Sequence, residues 1–472
     1  VGWEWLRELL RLADIAILIY FLLINTGTLT LVGLAGLELA GHLRRKPFRG
    51  ADLAYRSPLT PPVSVLMPAY NEQAGIVVAV RAMLALRYPV KEIVVVDDGS
   101  ADDTFEQLQR EFDLVEVPVV VPDDLPMHGA VRSVHRPRSG TESLVVVCKE
   151  NGGRSDALNV GINIARHGLI CMVDADSVLD SEALLTVVKP FTDDPLRVVA
   201  TGGVVRVVNG CRIVGGRVVE VRMPRRWLPR IQVMEYLRAF LMGRTGWSRL
   251  GSLVIISGAF GLFRRDQLVE LGGLSRDTVG EDAELVVRLH RRLRRRGEDY
   301  RIVFVAEPVC WTEVPGSWAV LSRQRQRWHR GLTEILRTHR VMVGNPRYGR
   351  IGLLALPYYL VFELVAPVVE MAAVVLVPAG LVVGAINLDF AWRFLLVAYG
   401  YAMVVSLAAL AMEEVAFHRY HRWRDLGWAV LAAVLENLGY RQVISVAQLR
   451  GGWAGLRRTT PVWGVMTREG LG

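Results

Sequence analysis

The chemistry in this chain gathers first at Asp174-Ala175-Asp176, which follow directly on the apolar run Leu169-Ile170-Cys171-Met172-Val173. A short apolar run of this kind reads as a buried strand. Two carboxylates leaving a strand one residue apart can share one hard divalent cation. Such a cation is commonly completed by substrate phosphates rather than by a full protein cage. Just upstream, Lys149, Gly152, Gly153 and Arg154 offer positive charge and backbone N–H groups suited to a diphosphate. Asp-X-Asp alone also occurs in ordinary turns, so the reading depends on what the rest of the chain places beside it.

Two more polar clusters fall at strand ends. Tyr70 and Glu72 follow the predicted strand Val63 to Pro68, and Asp97 and Asp98 follow the predicted strand Glu92 to Val96. Each cluster alone reads equally well as a turn or a helix cap. Three on successive strand ends make a shared site the better explanation. Farther on, Glu281 and Asp282 open an amphipathic helix. An acid there is often a cap, but a helix N-terminus also favours the ionised carboxylate that a general base needs. The stretch Ser322 to Gly331 interleaves Gln324, Arg327 and Trp328 with further arginines. It reads as a basic amphipathic helix on a membrane surface. An indole also offers an apolar face to a pyranose ring, and arginine a fork to phosphate oxygens.

The elements that must position these residues alternate. The strand at Val63 is followed by a helical pattern from Ala74 to Leu86, a second strand, and a helix opening at Ala101 to Thr104. Strand–helix alternation predicts an α/β domain with a mostly parallel, doubly wound sheet, whose ligands bind at the carboxyl ends of the strands. Asp113 to Glu142 reads as an irregular excursion, and Leu250 to Phe263 as a buried strand and turn near the acceptor side of the site.

Composition adds a membrane part. Hydrophobic residues make up 51% of the 472, yet 22% are charged, which suits a soluble domain fused to membrane helices. Asp14 to Ala40 is long enough to cross a bilayer. The following Arg44, Arg45 and Lys46, with Arg49, place the next segment on the cytoplasmic side. Gly352 to Ala385, broken by three prolines, predicts a kinked approach and one crossing, and Phe390 to Phe417 a second, followed by Arg419, Arg422 and Arg424. Trp428 to Leu449 is a third candidate. It carries Glu436, Asn437, Arg441 and Gln442, so it either lines a water-filled path or lies at the interface. Three crossings here would put Arg457, Arg458 and Arg468 outside, whereas an interfacial last helix keeps them inside. The net charge of +9 suits nucleic acid, anionic lipid or phosphorylated substrates; the clustering of arginines beside apolar segments favours membrane flanks, and no nucleic-acid signature stands out. Cys148, Cys171, Cys211 and Cys310 are widely spaced and read as reduced packing residues. The expected organisation is a membrane helix over 1–45, a catalytic domain over 57–316 after a proline-rich linker, an interfacial helix over 317–350, membrane helices over 351–450 and a basic tail over 451–472.

With these residues in place, the chain resembles membrane-embedded family 2 glycosyltransferases of GT-A fold, the group of cellulose, chitin, hyaluronan and poly-N-acetylglucosamine synthases. The resemblance covers about Val63 to Gly331. It rests on PAYNE at Pro68 to Glu72, VVDDGS at Val95 to Ser100, DxD at Asp174 to Asp176 and QxxRW at Gln324 to Trp328. The acidic motif, often TED in this group, is here Gly280-Glu281-Asp282, and Trp463-Gly464 with Arg468 matches the hyaluronan synthase tail only loosely. The resemblance implies that Tyr70, Glu72 and Asp98, with Asp97 as the alternative, hold the nucleotide of a UDP-sugar. Lys149, Arg154 and Asp174 sit at the donor. Asp174 and Asp176 bind Mg²⁺ or Mn²⁺, and Asp282 is the base. Glu281, Gln324, Arg327 and Trp328 serve the acceptor and diphosphate. It further implies an inverting, processive transfer to a β-linked glycan coupled to export. The setting is a bacterial-type plasma (inner) membrane with the domain cytoplasmic, in contact with lipid and with room for a small membrane partner subunit. The competing readings are a non-processive transferase with a lipid acceptor and, from another class, a membrane scaffold or transporter.

Overall fold

The structure is a computed structural model and describes residues 4–45, 51–139, 143–417 and 422–457. Lys46, Arg49, Glu142, Arg419, Arg458, Trp463, Gly464 and Arg468 lie outside the described residues. Twelve strands occur among the described residues: β1 (Val63–Ala69), β2 (Lys91–Asp97), β3 (Leu114–Glu116), β4 (Val131–Pro137), β5 (Leu144–Lys149), β6 (Leu169–Val173), β7 (Val178–Leu179), β8 (Val198–Val207), β9 (Arg212–Val214), β10 (Arg217–Glu220), β11 (Phe260–Arg264) and β12 (Arg301–Thr312). β9 and β10 form a separate hairpin, and the others make one sheet in the order β3-β4-β5-β2-β1-β6-β11-β8-β12-β7. β5, β2, β1 and β6 are parallel at its centre, β12 is parallel to β8, and β4, β7 and β11 run against the rest.

The central strands are near-continuous Val, Ile and Leu because both faces are covered. Val65, Met67, Ile93 and Val95 pack on the helices Ile76–Leu84, Thr104–Phe112 and Ala183–Asp193. Leu66, Val94, Val96 and Ile170 point the other way, onto the helices Arg154–Ile164 and Glu281–Arg296. That second core continues without a break into Leu31, Val32 and Ala35 of the N-terminal helix Glu4–Arg45 and Val405 and Ala409 of the helix Tyr401–Phe417. Each fully buried aliphatic side chain contributes roughly 1.5–3 kcal/mol. The sheet domain and the apolar helices are therefore held by the same layer of contacts.

Two expectations are corrected here. The stretch 113–142 is not wholly irregular, since β3 and β4 lie within it as antiparallel strands beside β5, with Val134 opposite Val147. Its prolines and arginines hide that pairing in the sequence, and they suit an edge that must not recruit further strands. In Leu250 to Phe263 only Phe260 onward is strand, while Leu253, Val254 and Ile256 are buried in a run without regular structure.

Among the described residues, three helices are long and apolar enough to cross a membrane: Glu4–Gly41, Ile351–Val383 and Leu388–Phe417. The last apolar segment is broken. Helix Trp423–Leu435 ends in a kink at Leu438 and Gly439, where φ of Gly439 is +87°, and helix Arg441–Arg457 follows. This final helix lies along the helix Trp318–Thr338. A Cβ at Gly451 would stand 2.2 Å from the Gln326 carbonyl oxygen, so only glycine permits the approach. Part of the stretch expected to be a basic tail is thus helix packed on the domain.

Candidate active site

Ala69 pairs with Asp97 and Asp97 with Cys148, so β1, β2 and β5 end level, and β6 joins them beside β1. The residues after these strands therefore meet at one edge. Asn71, at φ +55°, laces the first two ends together. Its amide oxygen accepts from the Ala101 N–H at 2.8 Å, and its own N–H donates to Ser100 Oγ at 3.0 Å. Tyr70 stands half exposed beside Glu72 on the rim.

The two aspartates after β2 have separate jobs. Asp97 accepts from the Ser100 N–H and Oγ and does not line the cavity. Burial pushes its carboxyl up, against the Ser100 hydrogen bonds. Asp98 does line the cavity. It accepts from the N–H groups of Gly152 and Gly153, at 3.0 and 2.7 Å, and from Lys149 Nζ at 2.5 Å. The N–H groups expected to face a diphosphate are thus given to Asp98. Lys149, expected at the donor, is buried beneath the site between Asp98 and Asp156, the latter at 2.8 Å. Burial raises the Asp156 carboxyl, but hydrogen bonds from Lys149, Gly129 and His128 outweigh it and leave it below the usual range. Gly152 has to be glycine here, because a Cβ would stand 2.1 Å from Asp156 Oδ2.

Arg154, the first residue of its helix, ties the remaining acids together. Nε and Nη2 donate to Asp174 Oδ1 at 2.9 and 2.8 Å, Nη1 to Glu281 Oε1 at 2.8 Å, and Nη2 also to the Gly258 carbonyl at 2.8 Å. Burial disfavours its charge, but Asp174, Glu281 and Asp282 more than restore it. Burial likewise pushes the Glu281 carboxyl up, with Arg154 opposing. Asp282 is held in place by the Gly258 N–H on Oδ2 at 3.1 Å and the Ala283 N–H on Oδ1 at 2.8 Å. Gly280 touches Gly331 backbone to backbone: a Cβ at Gly280 would lie 3.2 Å from Gly331 Cα. That contact sets the start of the Asp282 helix against the helix Trp318–Thr338.

On that second helix Gln324, Arg327 and Trp328 follow the three- and four-residue spacing of one face, and all three line the cavity. Trp328 stands 6.5 Å from the rings of both Tyr236 and Phe240, which stack on each other at 4.4 Å. Arg325 lies over the Trp328 ring at 4.3 Å and pairs with Glu235 at 2.6 Å. Sequence reasoning missed Tyr236, Phe240, Glu235 and Arg325. The first two are spaced like core aromatics of a helix, and Glu235 and Arg325 are 90 residues apart in the chain.

A single cavity of about 1260 Å³ joins these parts. It runs from Tyr70, Asp98 and Asp174 past Asp282 and Trp328, and on between apolar helices to Glu363, Glu370 and Arg441. That exceeds the ~300–1,000 Å³ typical of one small-ligand pocket. Asp174 and Asp176 both face it half-buried, with oxygen donors only. No group of three or more His, Cys, Asp or Glu suited to a metal occurs among the described residues. Two carboxylates beside a space for a diphosphate fit a hard cation that takes its other ligands from substrate and water.

Fold and site together define an α/β domain of the GT-A plan, carrying acids on the carboxyl edge of its sheet and opening onto apolar helices. The family model described as "Glycosyltransferase like family 2" matches residues 61–331, more than half of the chain, and the chain belongs to that family. It is 28% identical over 274 residues to a poly-beta-1,6-N-acetyl-D-glucosamine synthase of Staphylococcus aureus (strain COL), covering 58% of this chain and 55% of that protein. Against a synthase of the same description from Staphylococcus epidermidis, identity is 27% over 335 residues, covering 70% and 67%. The chain thus spans little more than half the length of the first of these relatives. Among solved structures, a mannosyltransferase from Pyrobaculum calidifontis in complex with GDP-Man and Mn²⁺ aligns at TM-score 0.49 and 20% identity, over 89% of this chain and 99% of that one.

Proposed function

We propose that the chain transfers a sugar from a nucleotide diphosphate sugar, a UDP-sugar, to the end of a growing β-linked polysaccharide, with inversion, and passes the product into the membrane part of its cavity. The observation that carries this reading is the continuity of the cavity from Asp98 and Asp174 past Asp282 and Trp328 to the apolar helices. Tyr70, Glu72 and Asp98 bind the nucleotide. Asp97 and Lys149 act through the loops and Asp98 rather than on the ligand. Asp174 and Asp176 would hold Mg²⁺ or Mn²⁺, and the ion when bound supplies positive charge to the diphosphate. Arg154 keeps Asp174 and Glu281 oriented. Asp282 takes the proton of the acceptor hydroxyl, its two oxygens fixed by Gly258 and Ala283. Trp328 stacks on the acceptor sugar, and Gln324 and Arg327 close over the phosphates.

The polar groups of the last segment support a polar path. Glu436 pairs with Arg238, and Arg441 with Glu370 at 3.0 Å, where the cavity passes between helices. Basic residues after the first apolar helix support a cytoplasmic domain in a bacterial-type inner membrane. The apolar walls near Leu31, Trp247 and Phe362 favour one second reading, a single transfer to a lipid acceptor. The deciding experiment supplies detergent-purified protein with UDP-N-acetylglucosamine, UDP-glucose, UDP-glucuronate and UDP-galactose in turn, plus Mg²⁺ or Mn²⁺. UDP release and product size are measured. A long glycan from one donor is expected. A product that stops at one sugar on lipid establishes the second reading.

A further inference from the structure

Arg244 opens the short helix Arg244–Arg249 and lines the cavity on its membrane side, yet neither its sequence context nor any family motif singles it out. It is 7% exposed, and its Nη1 has no hydrogen-bond partner among the described residues. Four other arginines of this cavity behave differently. Arg154, Arg238, Arg325 and Arg441 each pair with a carboxylate. The guanidinium of Arg244 instead lies on the face of Phe240, 3.8 Å from its centroid, and Phe240 in turn adjoins Trp328. A buried donor without an acceptor is costly, and buried polar groups are almost always satisfied.

We propose that Arg244 is a binding residue for the acceptor glycan, donating from Nη1 to a hydroxyl or amide oxygen of the sugar that stacks on Trp328. The proposal rests on the glycosyltransferase reading above and adds the residue that holds the acceptor on the membrane side of Asp282. A neutral glycan fits better than a lipid phosphate. Trp328, 37% exposed, offers a ring face to a sugar and is backed by the buried Tyr236 and Phe240. Burial weakens the charge of Arg244, with the Asp282 carboxylate opposing, and that carboxylate would repel a phosphate placed there.

The test is calorimetric titration of the purified full chain and of Arg244→Met and Arg244→Lys with short β-1,4- and β-1,6-linked N-acetylglucosamine oligosaccharides, with and without UDP. UDP is titrated separately. Arg244→Met is expected to weaken oligosaccharide binding by about ten- to a hundredfold, the range for losing a hydrogen bond to a charged group. UDP affinity should stay within about twofold, which also shows the variant folded. Arg244→Lys should recover part of the loss. Equal oligosaccharide affinity in wild type and Arg244→Met overturns the proposal, as does no oligosaccharide binding by a wild type that binds UDP. Tight binding of dispersed polyprenyl phosphate that depends on Arg244 also overturns it, in favour of an anion site. Failure of wild type to bind UDP counts against the transferase reading alone, because the titrations without UDP still report on Arg244.

Discussion

At the scale of single residues, the site separates groups that meet ligand from groups that hold others in place. Asp282 has both carboxylate oxygens fixed by backbone N–H donors and lines the cavity, so it is positioned but open to a substrate hydroxyl. Asp282→Asn keeps the shape and removes the base. It is expected to bind UDP-sugar as wild type does and to lose ~10²–10⁴ in transfer rate. A variant that transfers at the wild-type rate removes Asp282 from that role. Lys149 is the opposite case. Its ammonium is fully buried between Asp98 and Asp156, so Lys149→Met leaves two carboxylates without their cation. Breaking a buried pair from one side costs roughly 3–5 kcal/mol, and a loss of that size should appear in thermal or denaturant unfolding. An unchanged melting temperature together with weakened UDP-sugar binding would return Lys149 to the ligand. The sequence shows a lysine near a Gly-Gly turn in both cases. What it cannot show is that Asp98 and Asp156 close on that lysine.

At the scale of elements, the carboxyl edge was legible because each strand is a compact apolar run with a polar turn after it, as in Leu169 to Val173 before Asp174 and in Val94 to Val96 before Asp97. The helix Trp318–Thr338 was legible from its basic periodicity. Its partner was not, because Arg441–Arg457 has no continuous apolar stripe and meets it largely through Gly451, Gly452 and Gly455, with Ile444 beside Leu321. Nor were β3 and β4 legible, since β3 is only three residues long and β4 carries polar residues and a proline in place of a clear alternation. The glycine contact makes a prediction at this scale. Gly451→Val pushes the last helix off Gln326 and overpacks the joint by about 1–3 kcal/mol. The neighbouring Gln324 and Trp328 should shift with it. Donor binding is expected to persist while the product shortens on a sizing gel. Product of unchanged length would mean that this helix contact does not position the acceptor face.

At the scale of the whole molecule, the number of crossings decides where the product goes. The sequence left the last apolar segment open between a crossing and an interfacial helix. The kink at Leu438 and Gly439 and the packing of Arg441–Arg457 on the domain favour the interfacial arrangement, with Glu4–Gly41 before the domain and Ile351–Val383 and Leu388–Phe417 after it as the spans. Two spans after the domain would return the chain to the domain's side, the side the positive-inside rule expects for the basic residues Arg422, Arg424 and Arg457. On that topology the turn between those two spans would face the opposite side, where the proposed glycan would leave. Asp389, at the start of the last span, has a largely exposed side chain, and Leu59, in the linker before β1, is 86% exposed. A cysteine at position 389 is expected to react with a membrane-impermeant maleimide in intact cells. One at position 59 should react only after the membrane is opened, with the unsubstituted chain as the blank for Cys148 and Cys211. Labelling of position 59 in intact cells, or protection of position 389, would reverse the orientation and place the sugar donor site outside, away from any supply of nucleotide sugar.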